Sequence, residues 1–152
     1  MNPQTEPDAE DSPMLDSFEG LLAMIRTEPS PCRLLTVLVR AETLYRRRSD
    51  GVEEAMTNEG LLEPLMSRDW AVTADLKVAD ILDGANEAAD NWQFLMTAVL
   101  PGRNGVAPTS EDCEPHLDHM AQAIMLGAGL DGFAFFDRQG RPVNITGTAQ
   151  AN

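Results

Sequence analysis

Cysteine is nearly absent from this chain: of 152 residues only Cys32 and Cys113 carry a thiol, with no CxxC pair. Two such distant cysteines exclude a disulfide-stapled scaffold and a cysteine-rich zinc fold. Aromatic residues are also scarce, at 5%, so a core must come from Leu, Ala, Val and the eight Met. That composition suits packed helices better than a β-sandwich. No apolar run reaches the length of about 18 residues that a membrane span needs. The opening "MNPQTEPDAEDSP" lacks a basic and an apolar region, so it does not read as a secretory leader. Together these absences lead us to expect a cytoplasmic protein with no membrane partner. Glycine-rich phosphate loops, GxSxG and GxGxxG are missing too, so we expect no enzyme and no catalytic residues.

What the chain does have is acid. The net charge is -14. Residues 1–20 hold six acids and no base, residues 21–48 are net +4, and residues 49–131 hold 16 acids against three bases. A chain of this sign is repelled by nucleic acid, so direct nucleic-acid binding is not expected. Its natural charged partners are basic proteins or cations.

The apolar pattern predicts a mainly α fold: a single-domain helical bundle of about five helices with a C-terminal β-hairpin. Residues 1–11 read as a disordered acidic tail, 12–147 as the helical domain with its hairpin, and 148–152 as a flexible tail. Ser12-Pro13 opens a helix over 13–27, and Ser30-Pro31 a central one to Arg48. The latter's face is Leu34, Val37, Leu38, Ala41, Leu44 and Tyr45. Residues 52–66 read as short helical pieces broken by Gly60 and Pro64. Val78, Leu82, Ala85, Ala89, Trp92, Met96 and Val99 step by three and four, predicting one helix over 75–100 that passes through Asp83-Gly84. A further helix spans 112–127 and ends at Gly127. "FAFFDRQGRPVNIT" then predicts a hairpin of 133–136 against 141–146, in need of a further strand, either 69–73 or one from a second subunit. This stretch is similar to the opening hairpin of PAS-type sensor domains, but no sheet follows it in the chain, and nothing about function is taken from the likeness.

Two sets of side chains are candidates for function. On a helical wheel Asp80, Asp83, Glu87 and Asp90 fall within about 80°, and Phe94 joins them one turn on. Between Lys77 and Arg103 there is no base. Like charges at these spacings cost a helix roughly 0.2–0.5 kcal/mol per pair, which points to a basic partner surface gripped by this row with an aromatic anchor. The leading expectation is thus a small acidic protein-binding, inhibitor or adaptor protein, with imitation of nucleic-acid charge as a special case. Arg33, Arg40 and Arg47, spaced by seven, form a flank that competes as an internal counter-charge.

The second set lies in "EDCEPHLDH", where both histidines of the chain fall. Asp112, His116 and His119 share one side of a helix, which offers a divalent metal three ligands. The pairing of the histidines at i, i+3 is less suited to chelation than i, i+4. With this metal- or small-ligand-binding domain stands another alternative, a homodimeric scaffold joined through the edge of the C-terminal hairpin. Apart from that metal, no cofactor is expected.

Overall fold

A computed structural model describes residues 17–47 and 53–145; the expected tails at 1–11 and 148–152 lie outside them. The helical bundle is overturned. The described residues form three α-helices and a five-stranded antiparallel sheet, in the order α1 (Phe18–Ile25), β1 (Arg33–Arg47), β2 (Glu53–Ala71), α2 (Val78–Ala88), β3 (Phe94–Leu100), α3 (Ser110–Leu126), β4 (Ala134–Phe136) and β5 (Pro142–Val143). Across the sheet the strands lie β2-β1-β3-β4-β5. No helix among the described residues is long and apolar enough to cross a membrane.

The largest correction is at Leu34–Val39, expected in a helix and found in β1. Leu34 and Leu38 enter one core with α1 and α2, while Leu35, Val37 and Val39 enter another with α3. A strand buried on both faces reads as a continuous apolar run. Such a run also contains the i, i+3, i+4 positions of a helix, so its periodicity cannot separate the two. The β-branched Thr36, Val37 and Val39 favour the strand.

The expected helix pieces over 52–66 are strand β2. Pro64 is accommodated at a bulge, where Leu38 pairs with Met66 but Val39 with Pro64, leaving Leu65 extra. β2 is an edge strand, and an edge bulge is where a residue without an N–H is tolerated.

The long helix over 75–100 is two elements. Helix α2 does run through Asp83-Gly84, but Ala89 turns extended, at φ -157° and ψ 122°. The chain resumes as β3, antiparallel to β1 from Arg33↔Leu100 to Val39↔Phe94. Asp90 and Asn91 form the turn between them. Trp92, Met96 and Val99 continue the helical spacing only because β3 too is covered on both faces.

The outer elements follow their local signals more closely. Ser17 caps α1, its hydroxyl accepting the Gly20 N–H at 3.0 Å. Thr109 caps α3 and Gly127 closes it in the left-handed region, at φ 66°. The helix starts two residues before the expected 112, which places Pro115 inside it. The C-terminal hairpin forms as β4 and β5, and its further strand is β3, through Leu95↔Phe136 to Thr97↔Ala134. Neither 69–73 nor a second subunit supplies that strand.

Candidate interaction face

The sheet is covered unequally. On one face α3 lays Cys113, Leu117, Met120, Ala123 and Ile124 over β1 and β3. On the other, α1 and α2 share the work: Phe18 stacks on Phe136 at 5.0 Å between ring centres, and Ile81 and Ala85 pack near Leu34, Leu38 and Leu95. Over β2 this second cover is incomplete.

The gap is built from β2 upward. The register sets Trp70, Arg68 and Met66 beside Leu34, Thr36 and Leu38, all on the α2 side. Trp70 donates its indole N–H to Thr36 Oγ1 at 3.1 Å, and that hydroxyl donates to the Arg68 carbonyl at 3.1 Å. The Arg68 guanidinium lies over the Trp70 ring, 3.7 Å from its centre, a cation–π arrangement. Facing them, α2 presents Gly84, Ala85 and Ala88. A methyl group added at Gly84 would meet Trp70 Cη2 at 3.0 Å and Arg68 Nη1 at 3.2 Å. The glycine therefore sits where the sheet side chains press against the helix, which accounts for its place in mid-helix.

Between these walls lies a half-open cavity of about 140 Å³, floored by Leu38, Ile81, Ala85 and Leu95. At its mouth Met66 is 49% exposed, and further along β2 Leu61 is 53% exposed. Ligand sites for drug-sized molecules run from roughly 300 to 1,000 Å³, so this cavity suits a single apolar side chain rather than a free substrate.

The acidic row flanks that mouth. Asp80 and Glu87 lie one helical turn to either side of Gly84. Asp80, Asp83, Glu87 and Asp90 are all exposed, and among the described residues none has a Lys, Arg or His nitrogen within 4 Å. Asp80 is partly occupied, its Oδ2 accepting the Lys77 N–H at 3.0 Å in the first turn. Tertiary structure does bring cations close: Arg68 beside Gly84, and Arg138, which donates to the Trp92 carbonyl at 2.6 Å and Asn86 Oδ1 at 2.7 Å. Arg138 also holds the Asp90 carbonyl at 3.1 Å, where a cation favours the negative end of α2. Phe94 does not join the row. It begins β3 and packs on the α3 side of the sheet, because the helix that would have aligned it ends at Ala88.

The arginines expected as a flank sit in a strand, where a spacing of seven alternates faces. Arg33 turns toward α3 and Arg40 toward the α2 side. Both pair with acids of β2 rather than of α2. Arg40 pairs with Glu63, its Nε donating at 3.1 Å. Arg33 meets Asp69 through Nη2 at 2.6 Å and Nε at 2.8 Å. Ser110, at the start of α3, donates its hydroxyl to the same Asp69 oxygen at 2.9 Å, fastening α3 to the sheet. Burial pushes the Asp69 carboxyl up, but the Ser110 hydroxyl and the Arg33 guanidinium outweigh it and hold it below the ordinary range. Cys113, buried one turn into α3, is pushed up by burial and by the Asp69 charge, the opposite of what a reactive thiolate needs. No local signal marks this network, because its three members are distant in the chain.

Asp112, His116 and His119 share the exposed side of α3. The Asp112 carboxylate accepts the Thr109 N–H at 2.9 Å, and Asp112 N–H donates back to Thr109 Oγ1 at 3.0 Å. That reciprocal cap holds the Asp112 carboxyl below its usual range, through the Thr109 backbone N–H first and its side chain second. The His119 ring lies 6.4 Å from that of Phe133. Among the described residues no three His, Cys, Asp or Glu side chains gather as a metal site would require.

Comparison with protein-family models, with curated proteins and with solved structures returns no match.

Proposed function

We propose that this chain is a non-enzymatic protein-binding module that takes a basic segment of a partner protein, seating one apolar side chain between β2 and α2. The observation that carries the reading is the half-open apolar cavity with exposed Met66 on its rim, beside carboxylates that have no ion-pair partner among the described residues. An apolar anchor supplies affinity when it is desolvated in a pocket, and the surrounding charge selects the sign of the partner. Arg68 fits this arrangement as a movable lid: its guanidinium rests on Trp70, and a seated side chain turns it toward Asp80 or Glu87. An acidic or purely polar segment would lack both terms.

A library of lysine- and arginine-rich peptides, each carrying a single Leu, tests the reading by fluorescence anisotropy. Binders are expected to weaken about tenfold when the Leu becomes Ala, the scale of one buried side chain. They are also expected to weaken steeply with salt. Asp83→Lys with Glu87→Lys is expected to abolish binding while leaving the circular dichroism spectrum unchanged. Peptides that bind the doubly substituted protein as well as the original, or that bind equally without their Leu, would overturn the proposal.

A further inference from the structure

The loop between β3 and α3 closes on a two-residue turn. Arg103 and Val106 exchange both backbone bonds, the Arg103 N–H donating to the Val106 carbonyl at 2.9 Å and the Val106 N–H to the Arg103 carbonyl at 2.8 Å. Between them stand Asn104 and Gly105, the only Asn-Gly pair in the chain. Both have positive φ, at 53° and 79°, the type I′ geometry that Asn-Gly favours. Both are exposed. From the connection between α1 and β1, Ser30 Oγ accepts the Gly105 N–H at 2.9 Å. Beside the turn, Gly102 lies so close to the carbonyls of Pro31 and Val106 that a methyl group would fit against neither. The turn is thus tied to that connection at two points.

We infer that Asn104 is a site of spontaneous deamidation, and that the Ser30 hydroxyl is the latch that slows it. This inference is independent of the peptide site proposed on α2. Gly105 carries no side chain to shield its nitrogen, which leaves that nitrogen open access to the Asn104 amide carbon. Hydroxide takes the Gly105 amide proton, and the nitrogen then bonds to Asn104 Cγ. The bond from Cγ to the side-chain nitrogen breaks, and ammonia leaves with a proton from water, which restores the hydroxide. Water next opens the cyclic imide at one of its two carbonyls. Opening at Cγ leaves aspartate; opening at the main-chain carbonyl leaves isoaspartate, with one extra methylene in the backbone. Either product carries a new carboxylate. The ring closes only when the Gly105 nitrogen eclipses Cβ about the Asn104 Cα–C bond. In a type I′ turn ψ at that bond is about 30°, which swings the nitrogen toward the residue's own N and away from Cβ. The Asn104–Gly105 peptide must therefore rotate first, and that rotation breaks the bond from Gly105 to Ser30. The rate follows the fraction of time the turn stands open. An isoaspartate has too long a backbone for a two-residue turn, so the Arg103–Val106 pair does not re-form around it.

Incubation of the full chain at mildly alkaline pH, followed by peptide mass spectrometry, tests this. The peptide that holds Asn104 is expected to gain the mass of an amide turned to an acid, as a mixture of aspartate and isoaspartate. Ser30→Ala is expected to speed that gain about fivefold, the scale of one net hydrogen bond, with an unchanged circular dichroism spectrum. A second comparison needs no substitution: in urea, where the turn is open in every molecule, the gain is expected to be faster than in the folded chain. No gain at Asn104 in either the folded chain or Ser30→Ala overturns the site. A Ser30→Ala rate equal to the original, or a folded chain that reacts as fast as one in urea, overturns the latch.

Discussion

The two faces of the sheet make an instructive pair. Both are lined by alternate residues of the same strands, β1 and β3, yet one is closed and the other is left ajar. The closed face is covered by α3, 17 residues in one piece, fastened to β1 and β2 by Ser110, Asp69 and Arg33. The open face is covered by α1 and α2, of eight and 11 residues, which reach the middle of the sheet but leave the α2 side of β2 partly bare. Burial is thus a property of how far the covering helices extend, and the sheet stays exposed where they stop short.

Substitutions can break or sharpen that contrast. The largest effect is expected on the closed face: Ile124→Ala should cost about 2–5 kcal/mol in urea denaturation, because Ile124 is fully buried and the space it leaves has rigid walls. Asp69→Ala should cost about 2 kcal/mol by leaving Arg33 and Ser110 without their acceptor. This second loss depends on pH in a definite sense. The folded Asp69 carboxyl is held low, so its stabilisation is complete above the unfolded value of about 3.9. It fades as pH falls through the folded value. The stability gap between the original and Asp69→Ala is therefore expected to close in acid; a gap constant from pH 7 to pH 2 would show that the carboxylate charge is not what fastens α3. On the open face the effects are smaller. Thr36→Val removes the acceptor of the Trp70 indole and should cost about 1 kcal/mol, with a shift in tryptophan fluorescence. Met66→Ala should change stability by less than about 0.5 kcal/mol, yet weaken the binding of a basic, leucine-bearing peptide.

The candidate site was legible in parts. The row Asp80, Asp83 and Glu87 could be read from its spacing, since the first half of the helix expected over 75–100 does form as α2, and the absence of a local base is a fact of composition. Phe94 could not be placed, because the turn at Asp90-Asn91 left the apolar phase undisturbed. The apolar half of the site, Met66, Arg68 and Trp70, was hidden in a segment whose glycine and proline suggested broken helix. Pro64 and the bulge that accommodates it only make sense once β2 is known to be an edge.

By itself the sequence determined that the apolar run Leu34 to Val39 would be buried, since it must leave water in any fold. It also fixed features whose causes lie within a few residues: the glycine that closes α3, the C-terminal hairpin, and the acidic character of the outward side of α2. Only the tertiary structure decided that Leu34 to Val39 is a strand, that it pairs with β3 as well as β2, and that distant Arg33, Asp69 and Ser110 meet. The reason is that a continuous apolar run satisfies both repeats of secondary structure. The choice falls to the partners it finds, and those are set by chain segments far away.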